Sequence, residues 1–175
     1  MVTSKYHLRV NEDRKFHELN KVDFSKSIPA TEIDSKLKGL KWITPPFKDN
    51  VEEEINFIKD LKSQIQTDKR KKMVITHYSF ISSILDENFF SPSMAYTSDG
   101  SIIPLKNNKY SQKYKNLVIN LIKKNNVDVI YIVYPVHKGS IADYLDKSCL
   151  KEKLILKGVI SYEIKKCKDL IGKNN

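Results

Sequence analysis

Four histidines stand in this chain, and His77 and His137 are the two best placed for chemistry. Imidazole changes protonation near neutral pH, so it can act as acid, base or hydrogen-bond donor to an anion. Each of the two follows a short apolar run, Met73-Val-Ile-Thr76 in one case and Val127-Asp-Val-Ile-Tyr-Ile-Val133 in the other. Tyr78, Tyr134, Lys138 and Ser140 lie close by in sequence, and Asp99 sits in the polar stretch between the runs. These side chains suit a pocket for an anionic or sugar-like ligand, with Ser140 and the amides after it at a helix start that would favour an anion. The competing reading is structural, because histidines and tyrosines at strand ends commonly satisfy nearby backbone groups. His77, His137 and Asp99 have the right types for a metal, but no spacing supports a ligand motif, and none is expected.

The elements that must position these residues follow a strand, helix, strand alternation. Asn50 is a good helix N-cap, Glu52, Glu53 and Glu54 complement the positive end of the helix dipole, and Val51, Ile55, Ile58, Leu61 and Ile65 recur at helical spacing. The run at 73–76 reads as a strand covered on both faces, with a short helix at about 79–86 after it. Tyr110, Tyr114, Leu117, Val118, Leu121 and Ile122 form the stripe of another helix ending near Asn125-Asn126, and the strand at 127–133 follows. Pro135 ends that strand. Gly139-Ser140 should open a further helix through Ala142 and Leu145, to about Cys149. A last strand at about 158–165 alternates as an edge or one-sided strand does. In open α/β sheets the crevice beyond the carboxyl ends of parallel strands binds ligands, which is where His77, Tyr78, Tyr134, His137 and Lys138 would lie.

The predicted architecture is therefore a single α/β domain over residues 1–175, a three-layer α/β/α arrangement with a short, mainly parallel, Rossmann-like sheet. Residues 1–45 are expected to be an irregular segment packed on it. Within them, 15–19 could be a short strand and 30–37 a helical turn, whereas the prolines after Trp42 keep 39–46 extended. Trp42, the one tryptophan, is expected to anchor the core. The segment 88–108 is a long polar connection with a turn at Asp99-Gly100.

Composition narrows the function classes. The chain has 175 residues, 40% of them hydrophobic, a net charge of +10 and a pI of about 9.4. Such a charge invites a nucleic-acid partner, yet arginine occurs only at Arg9, Arg14 and Arg70. Base and phosphate readers favour its bidentate fork, so no nucleic acid is expected. Lys69-Arg70-Lys71-Lys72 is the one basic cluster and reads as a solvated loop. Neither a membrane-length apolar stretch nor a signal peptide is present in the sequence, so taken by itself the chain reads as soluble and cytoplasmic, although a domain cut from a longer protein would look the same. With five glycines and no phosphate loop, dinucleotide fingerprint, zinc-protease helix or nucleophile elbow, no cofactor is expected. Cys149 and Cys167 lack zinc or redox spacing; they are either reduced, partly buried thiols or, outside the cytoplasm, a disulfide.

Three phrases carry a resemblance: Lys36-Leu-Lys-Gly-Leu-Lys-Trp-Ile-Thr44, Met73-Val-Ile-Thr-His-Tyr78, and Asn107-Asn-Lys-Tyr110 with Tyr114-Lys115. From about Lys36 to Tyr134 the chain resembles the C-terminal soluble domain of multi-spanning bacterial membrane proteins similar to the dolichyl-phosphate-mannose-protein mannosyltransferase class, found mainly in AT-rich marine bacteria. That resemblance implies an accessory or ligand-binding domain on the extracytoplasmic face of the inner membrane, whose partner is the transmembrane portion of the same polypeptide and whose ligand is a glycan or lipid-linked sugar phosphate. It transfers no catalytic residue, since that class keeps its carboxylates in the membrane portion, and this chain has Met94-Ala-Tyr96 and Ile103-Pro104 where related segments place aromatics and a His-Pro pair. A free-standing small enzyme acting on a phosphorylated or glycosylated metabolite through His77 and His137 is the second expectation, and a structural interaction module the third.

Overall fold

The computed structural model describes residues 23–43, 50–93, 103–104, 108–134, 136, 141 and 143–165. The chain divides into two compact units, Met1–Asp60 and Leu61–Asn175.

In the first unit, β1 (Ile28–Pro29) pairs antiparallel with β2 (Lys41–Trp42), Ile28 opposite Trp42. Between them the expected helical turn is two 3-10 turns, Ala30–Glu32 and Ser35–Leu37. The break between them is made by Asp34, whose carboxylate accepts from Lys36 N at 3.0 Å and so starts a new turn instead of continuing the first. Gly39, at φ +90°, turns the chain back into β2 without the Cβ penalty of that conformation. Ala30 and Ile33 are buried. Trp42 is only half-buried, and its indole Nε1 donates to Glu54 Oε2 at 3.0 Å, so it is tied by its polar edge as well as its ring. The expected strand at 15–19 lies outside the described residues.

Helix α1 (Val51–Thr67) begins as its sequence prescribes, with Asn50 Oδ1 accepting from Glu52 N at 3.0 Å. Its buried stripe of Ile55, Ile58, Leu61 and Ile65 is the 3.6-residue pattern. The boundary between the units falls within this helix.

The second unit holds a four-stranded sheet in the order β3-β4-β6-β5, where β3 is Lys72–Ile75, β4 Val129–Val133, β5 Leu150–Leu156 and β6 Val159–Ile164. β3 and β4 are parallel, Met73 opposite Ile130 and Ile75 opposite Ile132; β4–β6 and β5–β6 are antiparallel. This corrects the mainly parallel, three-layer Rossmann-like expectation. The sheet is mixed, with one parallel pair and two antiparallel ones, and the α-helices bounded within the described residues are α1, the six-residue α2 (Phe80–Leu85) and α3 (Ser111–Asn125), with Ile141 also helical. A parallel strand needs a crossover of a dozen or more residues after its predecessor. Beyond β4 Ile141 is helical, as the expected helix requires, but the chain then forms turns over 143–145 and a 3-10 turn, Lys147–Cys149, capped by Asp146. The helix expected to run through Leu145 to about Cys149 is thus absent from 143–149. β5 and β6 are then joined by Lys157 and Gly158 alone, Gly158 at φ +87°, and a two-residue link permits only an antiparallel pair. β5, unrecognised in the sequence, takes the edge, and β6 lies between β4 and β5 rather than at an edge.

Cross-strand register sorts the sheet into two faces. Met73, Ile130 and Tyr162 in one row and Ile75, Ile132 and Ile160 in the next belong to the main core, with Val118, Ile119 and Ile122 of α3. The opposite face carries Lys72, Val129, Glu163 and Lys151 in one row and Val74, Tyr131, Ser161 and Lys153 in another. Asn126, at φ +50°, closes α3 by donating to the carbonyls of Ile122 and Lys123. Cys149 is buried and disulfide-bonded rather than a reduced thiol; the chain's other cysteine, Cys167, lies outside the described residues.

Candidate functional site

β3 and β4 run in the same direction and in register, so their carboxyl ends open at one end of the sheet. Thr76, buried just past β3, accepts from Tyr78 N through its Oγ1 at 3.0 Å, which turns the chain sharply towards α2. His77 is half-buried at this turn and its ring lies against that of Tyr78, centroids 3.7 Å apart and tilted by 42°. Tyr78 itself is only 7% exposed and meets Phe80 edge-on at 6.2 Å, so it supports the turn from within. At the matching position past β4, Tyr134 is 71% exposed, the most exposed large apolar side chain of the described residues. Its N–H donates to Gly158 O at 2.7 Å, which fixes the backbone from which the ring projects.

The structure therefore brings His77 and Tyr134 to the same end of the sheet and turns Tyr78 into the core beside them. Asp99, His137, Lys138 and Ser140 lie outside the described residues. Among the described residues no group of three or more His, Cys, Asp or Glu side chains could hold a metal ion.

A second cluster, which sequence reasoning missed, occupies the other face of the sheet. Asp68, just past α1, accepts from Arg70 Nε at 2.9 Å, Arg70 Nη2 at 2.8 Å, Arg70 N at 3.0 Å and the Tyr131 hydroxyl at 2.5 Å. The Arg70 guanidinium also reaches Glu163 Oε1 at 3.5 Å. Burial by itself would raise the Asp68 carboxyl, but the hydrogen bonds from Arg70 and Tyr131 outweigh it and hold the group well below the usual carboxylate range. Burial, followed by the bond to Asp68, pushes the Tyr131 hydroxyl up to about 12. Across neutral pH the carboxylate stays ionised and the phenol stays protonated, so the cluster moves no protons and serves as a brace. Asp68 and Arg70 were hidden because the basic run at 69–72 reads as a solvated loop. In the structure Arg70 is paired, and Lys72 is buried at the start of β3 in an ion pair with Glu87. The legible signal was the acidic residue two positions before the one arginine of the run.

The brace has a pH signature. Asp68 is lowered, so its contribution is complete above about pH 4 and is lost as pH falls towards its folded value. Tyr131 is raised, so its contribution is complete below about pH 10 and is lost as pH climbs to about 12. Burial, then the hydrogen bond to Glu152, likewise pushes Tyr162 up to about 12. Tyrosinate absorbance at 295 nm should thus show at least two of the nine tyrosines ionising late, and Tyr131→Phe should remove one of them. A titration in which every tyrosine ionises by about pH 10.5 would show that the phenol is not held by Asp68.

Compared with models of known families, with curated proteins and with solved structures, the chain matches none of them.

Proposed function

We propose that this chain is the ligand-binding domain of a membrane-bound, glycosyltransferase-like protein, taking a glycan or a lipid-linked sugar phosphate at the carboxyl ends of β3 and β4. The observation that supports it most is Tyr134: a ring 71% exposed, on a backbone tied to Gly158, at the same end of the sheet as His77. A pyranose presents an apolar C–H face and a rim of hydroxyls. An exposed phenol matches the face, and an imidazole at the same end of the sheet can donate to a hydroxyl or a phosphate. The place is the one where open α/β sheets bind ligands.

The buried, disulfide-bonded Cys149 supports an oxidising, extracytoplasmic setting, in keeping with the resemblance to membrane-bound sugar transferases. No helix of the described residues is long and apolar enough to cross a membrane, so on this reading the anchor is the transmembrane portion of the same polypeptide.

Titration of the 15N-labelled chain with mannose, N-acetylglucosamine, their 1-phosphates and a short-chain polyprenyl phosphate tests the reading. At least one of these should shift the resonances of His77 and Tyr134, and Tyr134→Ala should abolish the effect while leaving the melting temperature unchanged, because so exposed a ring contributes little to stability. Shifts confined to other regions, or none with any probe, would refute it. The gene offers an independent check: the frame upstream of Met1 should encode several apolar segments of about 20 residues.

A further inference from the structure

β5 is the longest strand of the described residues and the last of its sheet. Lys151, Glu152, Lys153 and Leu154 are all exposed, which means that both faces of the strand meet solvent over that stretch. Which of its backbone groups point outward follows from one bond. Lys165 N donates to Cys149 O at 2.8 Å, so residues 149, 151 and 153 hydrogen-bond across to β6, and the N–H and C=O groups of Leu150, Glu152 and Leu154 face away from the sheet. A strand added antiparallel at that edge would bond to these three residues. Lys151 and Lys153 would then fall at the non-hydrogen-bonded positions, where opposing side chains approach most closely.

A second copy of this chain is a poor occupant. Pairing β5 with itself antiparallel, in the register centred on Glu152, sets Lys151 against Lys153 and Glu152 against Glu152. Centring on Lys151 or on Lys153 sets that lysine against itself. Each of these three registers opposes like charges, a device by which natural sheets keep their edges from self-pairing. The same lysines favour carboxylates. Lys151 lies opposite Glu163 on β6, but Lys153 lies opposite Ser161, and Glu152 is turned towards the Tyr162 hydroxyl on the other face. Lys151 and Lys153 thus present positive charge on one face, while Leu154, 68% exposed, offers an apolar contact on the other.

We propose that the outer edge of β5 docks an extended acidic segment of another protein as an added antiparallel strand, with carboxylates opposite Lys151 and Lys153. Main-chain bonds at Leu150, Glu152 and Leu154 supply affinity, and the alternate carboxylates supply register and selectivity. The bulge between Leu154 and Leu156 ends the regular edge, so the docked stretch is about five residues long.

The test uses the intact chain and two capped seven-residue peptides, one alternating valine with glutamate and one alternating valine with lysine. The glutamate peptide should shift the amides of Leu150, Glu152 and Leu154 and slow their exchange with solvent more than that of Lys151 and Lys153. Reversing both charges, Lys151→Glu with Lys153→Glu, should weaken the glutamate peptide roughly ten-fold and transfer preference to the lysine peptide. Lys153→Gln, a milder change at an exposed position, should weaken it by roughly two- to three-fold with the fold intact. Equal binding of the two peptides, binding of neither, shifts away from β5, or a dimer of the chain through β5 in sedimentation would each overturn the proposal.

Discussion

Replacing Glu87 with glutamine should destabilise the protein by on the order of 3 kcal/mol, because it leaves the ammonium of Lys72 buried and uncompensated. The Lys72 side chain is 2% exposed and is among the largest fully buried side chains of the described residues, whereas Glu87 is 34% exposed. That asymmetry decides which partner matters more. Without Lys72, Glu87 can turn to water, so Lys72→Met should cost much less than Glu87→Gln and even come out near neutral, the thioether filling the space of the lysine stem. The pair also holds the chain after α2 against β3, since Val74 N donates to Phe89 O at 3.1 Å on the strand's outer edge. Asp86 at φ +52° and Phe90 at φ +47° flank that segment in a conformation that non-glycine residues resist. Urea unfolding of the two single variants and of the double variant measures the coupling. For Glu87→Gln the melting temperature should fall by roughly 6–12 °C. A loss below about 1 kcal/mol would mean that the amine reaches water in the native state.

Ile130→Ala should cost about 3–4 kcal/mol, within the range for removing a large aliphatic side chain from a packed core. Ile130 is 0% exposed in the middle of β4, between Met73 on β3 and Tyr162 on β6. Neighbours on both sides and the α3 residues of the same core hold the cavity open, so little of the loss is recovered by collapse. Leu154→Ala is the control, at 68% exposure, and should change stability by no more than about 0.5 kcal/mol. If the two changes cost the same, Ile130 is not enclosed in the core as its 0% exposure says.

Much of the local structure was legible because it depends on near neighbours in the chain. α1, its Asn50 cap and its stripe of Ile55, Ile58, Leu61 and Ile65 follow from helical spacing. β3 and β4 announce themselves as continuous apolar runs, as interior strands do, and all their residues are buried. Even the parallel pairing of β3 with β4 follows from the helical stretch between them. β5 was not legible, because Leu150 to Leu156 mixes charges with leucines in no clean alternation: an edge strand wet on both faces has no buried side to impose a period of two. Missing it led to the wrong sheet, since the turn at Lys157-Gly158 converts the end of the chain from a parallel addition into an antiparallel hairpin.

For the candidate site, the sequence by itself determined the place: two strands ending together, with His77 past one and Tyr134 past the other. Only the tertiary structure decided what each side chain does there. Tyr78 and Tyr134 have the same chemistry and similar positions after a strand, yet one is 7% exposed and the other 71%, because the turn at Thr76 swings the first back towards the core while the bond to Gly158 holds the second outward. Asp68 and Lys72 show the same limit from the other side. In the sequence both belong to a charged stretch that looks solvated. Their partners Tyr131 and Glu87 lie 63 and 15 residues away, and it is those contacts that overcome the cost of burying a charge. Local spacing sets which elements form and where they end; whether a polar side chain faces water, a ligand or a partner depends on groups that only the folded chain brings within reach.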